Sequence, residues 1–203
     1  QGLPFFVDQW NQDPLLRPLL FVEETFVPLC VSVVIPSDQI NLEGALRWKA
    51  AAGVLEVIYL YNGTEEPPQH PEIRVIQADW SGHGPIRQLA VEQCQGRFIF
   101  FTVDDALPLS GIMMELVNAF ECLSCDALVA RQIPWPNAST AVRQRIASWT
   151  PYSKEPYRFS QSDHVGTLYL KEDLLNEPLP NVNIAEDLIW SLNLWRCELF
   201  RTI

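Results

Sequence analysis

The stretch RFIFFTVDDALP, residues 97–108, decides how this chain is read. Five apolar or aromatic residues and a threonine run from Phe98 to Val103, and two carboxylates, Asp104 and Asp105, then stand side by side before Ala-Leu-Pro. An apolar run of that length, closed by turn residues, reads as a strand buried on both faces. Adjacent carboxylates repel, so the pair is comfortable only when it faces water, holds a cation or is partly protonated.

Working outward, the same unit recurs on both sides. VSVVIP (31–36) is a β-branched strand closed by Pro36, and LEGALRWKAAA (42–52) follows with helical composition and a stop at Gly53. LEVIYLY (55–61) is a second buried strand ended by the turn NGT, and IRVIQA (73–78) is a third. GPIRQLAVEQC (84–94) is a second helix with Pro85 in its first turn, ahead of the strand RFIFFTV. Beyond the carboxylates, LSGIMMELVNAFECL (109–123) predicts a helix, DALVARQI (126–133) a strand and EDLIWSLNLWRCELF (186–200) a closing helix. Strands alternating with helices predict an α/β domain over residues 30–203 with a mostly parallel sheet. Residues 1–29, with four prolines and no sustained period, predict an extended arm or linker. The chain opens on Gln1 rather than Met, which suggests a piece excised or processed from a longer protein.

Composition narrows the partners. A formal net charge of -11 argues against nucleic acid, which needs a basic face. It does not exclude a nucleotide, because a divalent cation and local arginines can neutralise a diphosphate inside an acidic protein. No uninterrupted apolar run approaches the roughly 18 residues of a membrane span. Of the five cysteines, Cys122 and Cys125 form one Cys-x-x-Cys, without the second pair or His-x3-His that would complete a zinc site. Reduced, buried thiols in a cytosolic protein are the simpler account.

In open parallel sheets ligands sit beyond the carboxyl ends of the strands, which puts Asp104 and Asp105 at the edge where a ligand is expected. Hard cations such as Mn2+ or Mg2+ prefer carboxylate oxygens and complete their shells with substrate phosphates. The competing reading makes one Asp a helix cap and leaves the other solvated. Gly82, His83 and Gly84 precede a helix and read as a turn first and a phosphate cradle second. The segment from Pro134 to Ser162, rich in Pro, Trp, Tyr and Arg, reads as irregular and long for a loop. It is a lid, a binding wall or a surface excursion.

Taken in order, VSVVIP, LEVIYLYNGT, IRQLAVEQCQGRFIFFTVDDALP and EDLIW resemble the landmarks of the family 2 glycosyltransferases, whose fold is GT-A, over about residues 31–200. FFTVDDALP, ARQIPWPNAS and EDLIW are most similar to bacterial rhamnosyltransferase-type members. The resemblance implies metal-dependent, inverting transfer of a sugar, a deoxyhexose among the candidates, from a nucleoside diphosphate sugar to a saccharide or lipid-linked acceptor. Asp105 resembles the second carboxylate of the family's DXD motif, Asp104 takes its middle position and Val103 stands where the first Asp usually is. The resemblance makes Asp105, with Asp104, the ligand of Mn2+ or Mg2+, and Asp187, with Glu186 as runner-up, the general base. Arg87 falls where the family often has an Arg facing the nucleotide, and Pro36, Tyr61, Asn62 and Asp104 are the other candidates there; Arg131 and Gln132, ending the strand after the carboxylate helix, and the aromatic Trp135 are the candidates for the acceptor or sugar. Tyr61 replaces the family's usual Asp, so the base or ribose contact falls to its ring or to the Asn62 amide. Trp149 and Tyr152 could join Trp135 in a sugar-stacking wall. Related proteins continue past the position of Ile203, so a domain truncated at its C-terminal end is expected. The expected setting is the cytoplasm, extending to peripheral association at the inner face of the membrane. The alternative is a non-catalytic nucleotide-sugar-binding or interaction domain of a larger protein.

Overall fold

The computed structural model describes residues 30–123, 125–150, 157–158, 164–195 and 200–202. The expected arm at residues 1–29 and Tyr152 lie outside the described residues.

The strands are β1 (Val31–Ser37), β2 (Val54–Tyr61), β3 (Ile73–Gln77), β4 (Phe98–Phe101), β5 (Ala127–Val129), β6 (Tyr157–Arg158), β7 (Thr167–Leu170) and β8 (Phe200–Thr202). The helices are α1 (Leu42–Lys49), α2 (His83–Gln93), α3 (Ile112–Leu123), α4 (Thr140–Trp149), α5 (Lys171–Asn176) and α6 (Glu186–Trp195). Among the described residues the eight strands form one sheet in the order β3-β2-β1-β4-β7-β5-β8-β6. β1, β2, β3 and β4 are mutually parallel, whereas β7 runs antiparallel between β4 and β5. The α/β architecture and the parallel half are as the alternation of strands and helices predicts.

Two-residue periodicity sorts the core onto the two faces of the sheet. Val31, Val33 and Ile35 with Phe98 and Phe100 pack on one face against Trp48 of α1 and Met113, Leu116, Val117 and Phe120 of α3. Val34, Ile58, Leu60, Ile99 and Phe101 pack on the other against Ile86, Ala90 and Val91 of α2, Leu174 of α5 and Trp190 of α6. Both faces of β4 are therefore covered, which is why its sequence is continuously apolar.

Several elements differ from the sequence reading. Residues 134–162 are not irregular throughout: α4 lies within them, with the Ser139 hydroxyl accepting from Val142 N at 3.3 Å as N-cap. None of its residues is buried, so no apolar period marks it. The strand expected over 126–133 is only Ala127–Val129, and Arg131 to Trp135 leave the sheet. The closing helix ends at Trp195, and Phe200–Thr202 return as a strand beside β5. Finally, β7 and α5, four and six residues long, are too short to show a period in the sequence. Among the described residues no helix is long and apolar enough to cross a membrane.

Candidate functional site

Two polar clusters converge on the carboxyl end of β4. The first holds the acidic pair. The Ser37 hydroxyl, at the end of β1, donates to Asp104 Oδ2 at 2.8 Å. Asn41 caps α1, its Oδ1 accepting from Gly44 N at 3.0 Å, and its Nδ2 donates to the Asp104 carbonyl at 2.9 Å. Trp48 packs on Phe100 with centroids 5.3 Å apart and donates its indole N–H to the Ala106 carbonyl at 2.9 Å. The backbone is thus tied down at the residues flanking Asp105, whose own side chain is exposed. The Tyr59 hydroxyl donates to the Asn41 carbonyl at 3.1 Å, and its pKa is pushed up to about 12 by burial first and by the Asp104 charge second.

Among the described residues no group of three or more His, Cys, Asp or Glu converges, so a cage made wholly of protein ligands does not fit. A cation shared with substrate phosphates needs only one or two carboxylates, and the exposed Asp105 with Asp104 beside it fits that demand.

The second cluster lies against Phe101. Arg87, on the buried face of α2, places its guanidinium carbon 5.9 Å from the Phe101 ring centroid and forms an ion pair with Glu186, the first residue of α6. Arg87 is 8% exposed and Glu186 3%. The Glu186 carboxylate is therefore taken up by Arg87, and Asp187 is the half-buried acid of the Glu-Asp pair. Asp187 Oδ1 accepts from Leu188 N at 2.7 Å. His164, 1% exposed, packs edge-on to Phe101 at 5.2 Å, and its Nδ1 lies 2.8 Å from the Tyr169 hydroxyl. Burial, then the Arg87 and His83 charges, hold its pKa well below the ordinary histidine range. His83 is likewise lowered, chiefly by burial and then by Arg87, against the opposing pull of Glu186 and Asp187.

The remaining sequence candidates spread along the same edge. Ser37, Tyr61 and Gln77 are register partners at the ends of β1, β2 and β3, with Pro36 one residue before Ser37. Tyr61 is 4% exposed, so its ring is not displayed for stacking, while Asn62 beside it is half-buried. A Cβ on Gly63 would lie 2.2 Å from the Tyr61 hydroxyl oxygen and 2.5 Å from the Asp38 carbonyl, so the turn after β2 needs glycine there. Phe101 and Val129 both pair with Thr167, so Asp104 and Arg131 leave the sheet from neighbouring positions on one edge. Arg131 is exposed, the Gln132 side chain donates to the Val165 carbonyl at 3.0 Å, and Trp135 is 47% exposed. The Gly82-His83-Gly84 turn is no phosphate cradle: His83 N and Gly84 N donate to the carbonyls of Asn183 and Val182, both at 3.2 Å.

Sequence reasoning missed Ser37, Asn41 and Trp48 as supports of the acidic loop. Asn41 had a signal, a side-chain acceptor just before a helical run, whereas the reach of Ser37 and Trp48 to Asp104 and Ala106 depends on tertiary proximity.

No protein-family model matches the chain, and no curated protein matches it. Solved structures do. S. aureus TarS, residues 1–349, superposes with a TM-score of 0.58 at 14% identity over 86% of this chain and 58% of that one. The same protein in complex with UDP-GlcNAc gives 0.60 at 15% identity, covering 86% of this chain and 56% of that one. Its complex with UDP gives 0.60 at 15%, covering 86% and 57%. The chain thus spans little more than half the length of these TarS structures. What is common at this level of identity is the fold, and the chain has an α/β fold of the GT-A type.

Proposed function

We propose that this chain transfers a sugar from a nucleoside diphosphate sugar to a hydroxyl of a saccharide or lipid-linked acceptor, with inversion at the anomeric carbon. The observation that carries the reading is the presentation of Asp105: an exposed carboxylate between tied backbone carbonyls, beside a hydroxyl-bonded Asp104, at the ligand edge of a GT-A sheet. The UDP-GlcNAc and UDP complexes of TarS support a UDP-sugar as the first donor to test, with a deoxyhexose donor second.

Asp105 and Asp104 would hold Mn2+ or Mg2+, which supplies positive charge against the diphosphate as it leaves. The protein's own groups supply the rest. Asn62 meets the base or ribose, and Arg131, Gln132 and Trp135 line the acceptor side. Asp187 accepts the proton of the acceptor hydroxyl as that oxygen bonds to the anomeric carbon. The bond from this carbon to the diphosphate oxygen breaks with its electron pair, freeing the nucleoside diphosphate, and attack from the opposite face inverts the centre. Glu186, spent on Arg87, does not compete for the proton.

Chromatographic measurement of UDP released from a panel of UDP-sugars and saccharide acceptors tests the reading. Turnover should fall by about 10²- to 10⁴-fold in Asp187→Asn, with nucleotide affinity within a few-fold of the unmodified chain. Full-speed transfer by Asp187→Asn removes Asp187 from the role.

A further inference from the structure

Gly82 and Gly84 at the start of α2, and the buried Arg87 one turn on, are tightly specified by the chain packed against them. Residues 179–186 lie against α2 at every turn of its first half. Leu179 N donates to Gln88 Oε1 at 3.1 Å, and the carbonyls of Val182 and Asn183 accept from Gly84 N and His83 N. A Cβ on Gly84 would stand 1.9 Å from the Pro180 carbonyl oxygen and 3.4 Å from Glu186 Cβ. On Gly82, at φ +110°, it would lie 2.9 Å from both Asn183 Cα and the Val182 oxygen. Arg87 closes the far end through Glu186. Between these anchors Ala185 adopts φ +66°, a left-handed conformation that a residue with a Cβ holds only when its surroundings impose it.

We infer that Gly82, Gly84 and Arg87 form a socket that positions Asp187, and that they are positioning residues for the transfer proposed above, on which this inference rests. The socket grips the chain up to Glu186 and makes no hydrogen bond to the Asp187 carboxylate among those the structure records, so the acid next in sequence is aimed without being consumed. A buried ion pair is a poor source of stability, because desolvation offsets the attraction, and it is better suited to selecting one register. Here the register selected is the first turn of α6.

Two variants separate positioning from folding. Gly84→Ala forces the Pro180 carbonyl away, and the double variant Arg87→Met/Glu186→Leu replaces the ion pair with apolar groups of similar size, a change that buried pairs often tolerate. Carboxyl-carbon NMR of the aspartates reads the socket without any turnover. The Asp187 resonance should shift or split in both variants, while those of Asp104 and Asp105 stay in place. Kinetics read its consequence: kcat should fall about 10- to 100-fold with the donor KM within about twofold, since only orientation is lost. An unmoved Asp187 resonance in the folded double variant overturns the socket, as does unchanged kcat in a chain that transfers sugar. If the resonance moves but the unmodified chain transfers nothing from any donor, the socket stands and the transfer reading falls.

Discussion

Arg87 and Glu186, 99 positions apart in the chain, form a buried ion pair beside Phe101 that ties the middle of α2 to the first residue of α6. Truncating one partner leaves the other charge buried and uncompensated. Arg87→Ala should therefore lose about 3–5 kcal/mol in urea unfolding, or roughly 10 °C in Tm, whereas Arg87→Met/Glu186→Leu should recover most of that loss. An Arg87→Ala protein as stable as the unmodified chain would show that the pair is solvated rather than buried.

The indole of Trp48 anchors the loop behind Asp105. Trp48→Phe keeps an aromatic ring against Phe100 but removes the donor to the Ala106 carbonyl, at a cost of about 1 kcal/mol in stability. If the anchor also fixes Asp105, metal-dependent nucleotide affinity should weaken by up to about fivefold, the equivalent of that energy. Titration calorimetry on Trp48→Phe checks it, and an affinity equal to the unmodified chain's at reduced stability would confine Trp48 to a packing role.

His164 gives the fold a pH dependence whose sign follows from its lowered pKa. Above about 6.5, the ordinary histidine value, it is neutral whether folded or unfolded and contributes no slope. Below that value the unfolded chain takes up the proton first, so stability falls as pH drops, by about 1.4 kcal/mol per pH unit, until the folded pKa is reached. His164→Gln, which retains a partner for the Tyr169 hydroxyl, should flatten the stability curve by that slope below pH about 6.5 and leave it parallel above. Urea midpoints that run parallel for the two proteins down to pH 5 would contradict the burial of a neutral imidazole.

The parallel half of the fold was legible because its strands are covered on both faces and its helices carry apolar stripes. VSVVIP and RFIFF announce themselves by composition alone, and Met113, Leu116, Val117 and Phe120 recur at helical spacing. The other half was obscured for three physical reasons. Strand β7 is four residues long and completed by neighbours distant in sequence. Helix α4 has no buried face to impose a period. The strand Phe200–Thr202 follows closely on a helix whose apolar spacing hides the break. At the site, Asp104 and Asp105 stood out because adjacent charges at the end of a buried strand demand a reason. The commitment of Arg87 to Glu186 did not, since an ion pair across 99 positions leaves no trace in local pattern. Gly82-His83-Gly84 reads as a turn first and a phosphate cradle second, and the second reading fails for the reason that the stretch can be a socket: glycine lets another backbone approach closely, and sequence does not say whose.

In the function proposed for this chain, the acidic loop after β4 holds a nucleoside diphosphate through a divalent cation. Calorimetric titration of UDP into the unmodified chain and into Asp105→Asn, each with and without Mn2+, decides whether it does. Mn2+ should strengthen UDP binding by about tenfold or more, some 1.4 kcal/mol, in the unmodified chain and have no effect in Asp105→Asn. The Tm of Asp105→Asn should be unchanged or raised, because the repulsion between adjacent carboxylates is relieved. Equal UDP affinity with and without Mn2+ in the unmodified chain, or an undiminished Mn2+ effect in a folded Asp105→Asn, would contradict it.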